Sequence, residues 1–173
     1  DQKKVLAECP AEDFAGRSAE FARVVEHAKG SGPLMVMGGP GVGVSELLKQ
    51  VYDKLFVDHT PVIPFYFALN ATDGSPRETA QRFLHQFLLQ TVAFRREDDA
   101  ILSWYPDICE LSELAVPADG HWIDRLVTAC AHDCALNDEQ TFLQTCFSAP
   151  VRAACVPGSR GARRPARRCG GTQ

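Results

Sequence analysis

Four consecutive apolar residues, Leu34-Met35-Val36-Met37, run into Gly38-Gly39-Pro40-Gly41-Val42-Gly43. Beyond Ser45 the apolar positions Leu47, Leu48, Val51 and Leu55 recur at helical spacing. The pattern predicts a strand over 34–37, a glycine-rich turn, and a helix over 44–56. Ahead of it, Phe21, Val24, Val25 and Ala28 mark a short amphipathic helix from Ser18 to Lys29, which Gly30-Ser31-Gly32-Pro33 ends. A mostly apolar run, Val62 to Leu69, follows the turn Asp58-His59-Thr60-Pro61 and reads as a second strand, buried on both faces of a parallel sheet. Pro64 has no N–H to give a ladder, so this strand should start irregularly or lie at an edge. Ser75-Pro76-Arg77-Glu78 is a strong helix start, with a capping hydroxyl, Pro in the first turn and Glu three residues after the cap. The helix it opens runs over 76–95.

Two strand-to-helix units in succession predict an α/β fold with parallel strands. The C-terminal half is helix-rich. Residues 100–120 carry Pro106, Pro117 and Gly120 between short apolar clusters and read as a loop-rich insertion with one short helix, followed by helices over 121–136 and 138–149. No internal repeat is visible.

The glycine-rich turn carries the candidate chemistry. A backbone that folds around a phosphate with several N–H groups pointing inward needs residues without a Cβ, and the helix N-terminus behind it adds free N–H groups and its dipole. Against the pattern G-x-x-x-x-G-K-[ST], Gly38 and Gly43 are the two glycines and Ser45 is the magnesium-coordinating hydroxyl. Val44 stands where the pattern has Lys, and Lys49 lies more than a helical turn further on.

Upstream, Phe14-Ala15-Gly16-Arg17-Ser18-Ala19-Glu20-Phe21 followed by one helix and then the loop resembles the entry to AAA+ and STAND-type P-loop ATPases, including the origin-recognition ATPases. The resemblance covers roughly residues 12 to 150. It implies a partial P-loop NTPase three-layer fold over 14–150 that binds ATP or ADP with Mg²⁺. Gly38, Gly39, Pro40, Gly41, Val42, Gly43, Val44 and Ser45 would surround the phosphates, Ser45 would contact the metal, and Phe14 and Arg17 would lie on the base side. In that family the Walker B strand and the next one lie between the two strands found here, and no apolar strand ending in an acid occurs after Ser45. The chain is therefore expected to be truncated before Walker B, to lack catalytic residues, and to bind without hydrolysing. Other domains of a larger signalling or regulatory ATPase would be its partners.

Composition limits the alternatives. With 173 residues, 45% hydrophobic and 23% charged, one globular domain is expected. No apolar run approaches the roughly 18 residues of a membrane span, and no signal-peptide pattern opens the chain, so a cytoplasmic protein is the default. The first residue is Asp1, which suggests a fragment or processed chain. Seven cysteines without a C-x-x-C pair argue against a disulfide framework or a zinc ribbon. In Cys130-Ala131-His132-Asp133-Cys134 both cysteines continue the apolar stripe of Ile123, Leu126 and Val127, which favours core packing over a metal site.

Residues 1–13 read as a leader or linker. Residues 1–150 hold 12 Lys and Arg against 22 Asp and Glu, whereas 151–173 hold six arginines and no acid. That tail is expected to be disordered. Three readings of it stay open: a basic arm for nucleic acid, a plain solvated tail, and an out-of-frame end departing from the gene near Ala154 or Cys155.

Two functions from different classes remain. One is nucleotide binding at the glycine loop. The other is a non-nucleotide interaction or regulatory module on an ATPase-derived scaffold, favoured by the apolar Val44. A Rossmann-type oxidoreductase fits poorly, because Gly39-Pro40-Gly41 is not followed by a third glycine three residues on.

Overall fold

A computed structural model of the chain describes residues 3–14, 16–30, 32–69, 74–136 and 138–155. Among these are eight helices and no strand: α1 Ser18–Ala28, α2 Val44–Val57, α3 Pro76–Arg96, α4 Ala100–Trp104, α5 Ile108–Leu114, α6 Pro117–Leu136, α7 Glu139–Phe147 and α8 Ala149–Ala154. The expected α/β, three-layer P-loop arrangement with parallel strands is therefore overturned: the described chain is all-helical.

The organising element is α3. Its N-terminus is the expected capping box, with the Ser75 hydroxyl accepting from the Glu78 N–H and the Glu78 carboxylate accepting from the Ser75 N–H. From Phe87 to Phe94 every residue is buried, so this half of the helix is enclosed on all sides. Helices α4, α5, α7 and α8 pack directly on it, and α6 closes the far side against α5, α7 and α8. Leu84, Leu88, Val92, Leu111, Ile123, Leu126 and Cys146 form the fully buried centre of the resulting core. Helix α2 joins through Tyr52 and Phe56, the latter meeting Phe94 edge-on at 5.7 Å between ring centroids.

Both expected strands fail for one physical reason. A strand is a strand only while its backbone donors and acceptors meet a neighbour's, and here neither segment has one. Residues 34–37 have no backbone hydrogen bond to any described residue, and Met35 and Met37 are 81% and 82% exposed. The run from Val62 to Leu69 instead lies against α3. The Gln90 amide spans the Tyr66 peptide groups, accepting from the Tyr66 N–H at 2.8 Å and donating to its C=O at 2.9 Å. The Arg82 guanidinium donates to the Ala68 C=O at 2.9 Å. Phe65 meets Phe83 and Phe87 edge-on, each at 5.2 Å. Ile63, Phe65 and Tyr66 are thus packed against the helical core while Leu69 stays 77% exposed, and side chains supply part of what a ladder would.

The helical predictions differ from the structure mainly at breakers. Pro117 does not interrupt α6 but opens it, since the first turn tolerates a missing N–H. Asp119 in that turn is buried, accepting from Trp122 Nε1 at 2.9 Å and pairing with Arg95 at 3.0 Å. The single short helix expected over 100–120 is two, α4 and α5, and the helix expected over 138–149 divides at Ser148 into α7 and α8. Because α8 runs to Ala154, the boundary placed at 150 falls inside a helix; the tail from residue 156 onward lies outside the described residues.

Truncating the fully buried Leu88 to Ala is expected to destabilise the protein by about 2–5 kcal/mol in urea unfolding, through lost transfer energy and the cavity left behind. Met37→Ala, at a position 82% exposed, is expected to change stability by no more than about 0.5 kcal/mol. Equal losses in the two variants would contradict the core placed here.

Candidate functional site

The glycine loop is built by backbone conformations that side chains resist. Gly41 and Gly43 sit at φ 76° and 77°, in the left-handed region that glycine enters at no steric cost. A turn closes with the Val42 N–H donating to the Gly39 C=O at 3.3 Å. Gly43 then serves as N-cap of α2, its C=O accepting the first helical bond from the Leu47 N–H at 3.0 Å. At the mouth of α2 lies an open cavity of about 600 Å³ lined by Glu8, Gly38, Gly39, Pro40, Gly41, Gly43, Val44, Ser45 and Glu46. Of the residues anticipated to surround phosphate, all but Val42 line it. The free N–H groups and dipole of α2 face this space.

Two features work against an anion there. The side chains of Val42 and Val44 converge on Gly38, so closely that a Cβ at Gly38 would fall 2.5 Å from Val42 Cγ2 and 2.6 Å from Val44 Cγ2. The loop thus has methyl groups in its fold where the pattern has an ammonium. Two carboxylates, Glu8 and Glu46, also stand on the wall.

Phe14 and Arg17, expected on the base side, are not brought into the cavity. Phe14 donates its N–H to the Ala11 C=O at 3.3 Å, and Arg17 is the N-cap of α1. A separate, more apolar groove of about 390 Å³ runs between α1, α2 and the 62–67 segment, lined by Val24, Ala28, Leu48, Val51, Leu55 and Phe65 among others.

The leader has a role that sequence reasoning missed. Helix α2 carries Glu46 and Asp53, seven residues and therefore about two turns apart on one face, and both take backbone N–H groups from residues 5–9. The buried Asp53 carboxylate accepts from Val5 at 2.8 Å, Leu6 at 2.6 Å and Ala7 at 3.1 Å. Glu46 accepts from the N–H groups of Glu8 at 3.1 Å and Cys9 at 3.2 Å, and from the Gln50 amide at 3.0 Å. The segment laid along α2 in this way places Glu8 at the cavity, where its carboxylate pairs with Lys49 at 2.5 Å. Lys49 is thereby held protonated above its ordinary range by Glu8.

Metal chemistry has little to build on: among the described residues no group of three His, Cys, Asp or Glu side chains could hold an ion. The cysteine stripe needs one correction. Cys130 is buried but Cys134 is exposed and accepts from Arg77 at 2.9 Å; the inward position is Asp133, whose carboxylate accepts from the Thr145 hydroxyl at 2.7 Å.

Glu46 gives the site a pH signature. Burial alone would raise its carboxyl, but the Gln50 amide, the N–H groups of Glu8 and Cys9, and the Cys9 thiol together outweigh burial and lower it from an ordinary 4.5 to about 2. A folded-state value below the unfolded one means the stabilisation is complete above about pH 4.5 and is lost as pH falls toward 2. Urea midpoints measured across that window are expected to fall more steeply for the native chain than for Glu46→Gln, which should also be the less stable protein at neutral pH. Parallel pH profiles would show that Glu46 does not clasp the leader. Compared with known proteins, the chain matches no family model, no curated protein and no solved structure.

Proposed function

We propose that the loop from Gly38 to Ser45 binds the phosphate groups of a nucleotide, ATP or ADP, weakly and without hydrolysis. The observation that supports this most is the pair of left-handed glycines, Gly41 and Gly43, which opens a 14-residue helix onto a cavity of about 600 Å³. Backbone N–H groups at the start of a helix favour an anion by position and by dipole, and glycines let it come close. The adjoining residues fit a phosphate better than they fit a resident metal. Ser45 offers one hydroxyl, the Glu46 carboxylate is already occupied by N–H donors, and Glu8 is paired with Lys49. Mg²⁺ would therefore arrive with the nucleotide and be held by its phosphates, water and Ser45. It would also offset the charge of the two wall carboxylates.

The second reading, an interaction or regulatory module that uses this surface without nucleotide, is favoured by the valine methyl groups packed on Gly38. Other domains of a larger regulatory protein would be its partners.

The substitution Val44→Lys distinguishes the two. A cation added where N–H dipoles already converge is worth about 1.5 kcal/mol or more as a charge-assisted contact, so titration with a fluorescent ATP analogue and Mg²⁺ should show roughly tenfold tighter binding than the native chain. Equal affinities, or no binding in either, would favour the module without nucleotide.

Phosphate release by the purified chain should stay at buffer background. Transfer to water relies on a Lys at the β- and γ-phosphates, an acid on the metal and a group orienting the water. Loss of one such contact typically costs about 3–4 kcal/mol in the barrier. Here Val44 replaces the Lys, and the described cavity offers no carboxylate free of a partner. Release above background that Ser45→Ala abolishes would refute this.

A further inference from the structure

Helices α6 and α7 are consecutive and antiparallel: Asp133 bonds Thr145 while Cys130, one turn earlier, faces Cys146, one residue later. The two thiols lie 3.9 Å apart in the core, Cys130 at 8% and Cys146 at 0% exposure. Each is the other's only hydrogen-bonding partner among the described residues. The other described cysteines, Cys9, Cys109, Cys134 and Cys155, are half-buried or exposed. A disulfide has sulfurs about 2.0 Å apart, so closure needs an approach of about 2 Å, within reach of side-chain rotation and a small helix shift.

From this juxtaposition we infer that Cys130 and Cys146 are a redox modification site, closed to an intrachain disulfide by a small peroxide. Burial sets the order of the two thiols: Cys130, the less buried, is the one a peroxide reaches first and forms the attacking thiolate, while Cys146 behind it is fully enclosed. Its sulfur attacks one peroxide oxygen and breaks the O–O bond. Cys130 becomes a sulfenic acid, and the leaving hydroxide takes up a proton to become water. The Cys146 sulfur then attacks Cys130 Sγ, its proton passing to the departing hydroxyl to give a second water. Two thiols are oxidised, one peroxide is reduced, and the new S–S bond joins the two helices that pack against one another beside α3. Arg152 and Arg77 favour the thiolates, and Asp133 opposes them.

The test uses the full chain and a second form in which Cys9, Cys109, Cys134, Cys155 and Cys169 are each replaced by Ser. Both are treated with graded hydrogen peroxide, unfolded, alkylated, and mapped without reduction. The expected result is a mass loss of two hydrogens with a linked peptide pair carrying Cys130 and Cys146, reversed by dithiothreitol, and a melting temperature raised by oxidation. Cys130→Ser should show neither the link nor the rise. Full alkylation of both residues after peroxide would overturn the proposal, as would oxidation of Cys130 to a sulfinic acid without a link. If the multiply substituted form does not fold, the peptide map of the native chain decides.

Discussion

Backbone hydrogen bonding is the constraint around which this molecule is arranged. Helices satisfy their own N–H and C=O groups, but two long non-helical segments, 3–9 and 62–69, lie against the helical body, and a buried peptide group without a partner costs as much as a lost hydrogen bond. With no sheet among the described residues, side chains take over, Glu46 among them for Glu8 and Cys9. Asp53 gathers three consecutive N–H groups of the first segment, and Gln90 spans both peptide groups of Tyr66 in the second, with Arg82 capping Ala68. Asp53 and Gln90 are each buried to within 3% of fully, on helices whose other inward residues are apolar except for Gln50 on α2 and Thr91 on α3. Removing either carboxylate or amide would strand several donors or acceptors at once, which makes them costlier to lose than any one apolar contact of similar size.

Helix α2 has a double duty that follows from this. Its first turn presents the glycine loop to solvent, while Glu46 and Asp53 along one side bind the leader down. The leader in turn brings Glu8 against Lys49, the lysine nearest in sequence to the missing loop cation. The Lys49 ammonium is thereby paired with the Glu8 carboxylate. The cavity thus combines anion-attracting backbone with anion-repelling side chains.

How much of this was legible depended on whether a residue's role was decided locally. The helices were, because a 3.6-residue apolar period states both type and buried face, and because Ser75 and Glu78 name a start by their spacing. The strands were not. Leu34 to Met37 is too short to have a period, and an apolar run says only that it wants covering; Val62 to Leu69 found its cover on α3. The glycine loop itself was readable, since Gly41 and Gly43 are needed for their φ values. Phe14 and Arg17 rested on resemblance alone and do not reach the cavity. Asp53 and Gln90 gave no signal, as a polar residue on a helix reads as solvated until a distant segment is laid upon it. Asp133 and Cys134 were exchanged by a single residue of helical phase.

Helix α1 has a further consequence. It packs on α2 through Val25, Phe21, Val24 and Ala28 against Val51 and Leu55, a small cluster distinct from the main core. Two apolar clusters of unequal size therefore meet along α2, one anchored on α3 and one on a few contacts of α1. Because segments with few buried contacts open at lower free energy, the smaller cluster is where sub-global opening would begin, exposing the α1 amides before those of α3. Val24 and Ala28 of α1 wall one side of the apolar groove beside Phe65. An opening of the smaller cluster would therefore widen this groove on the α1 side and leave the α2 and Phe65 walls in place.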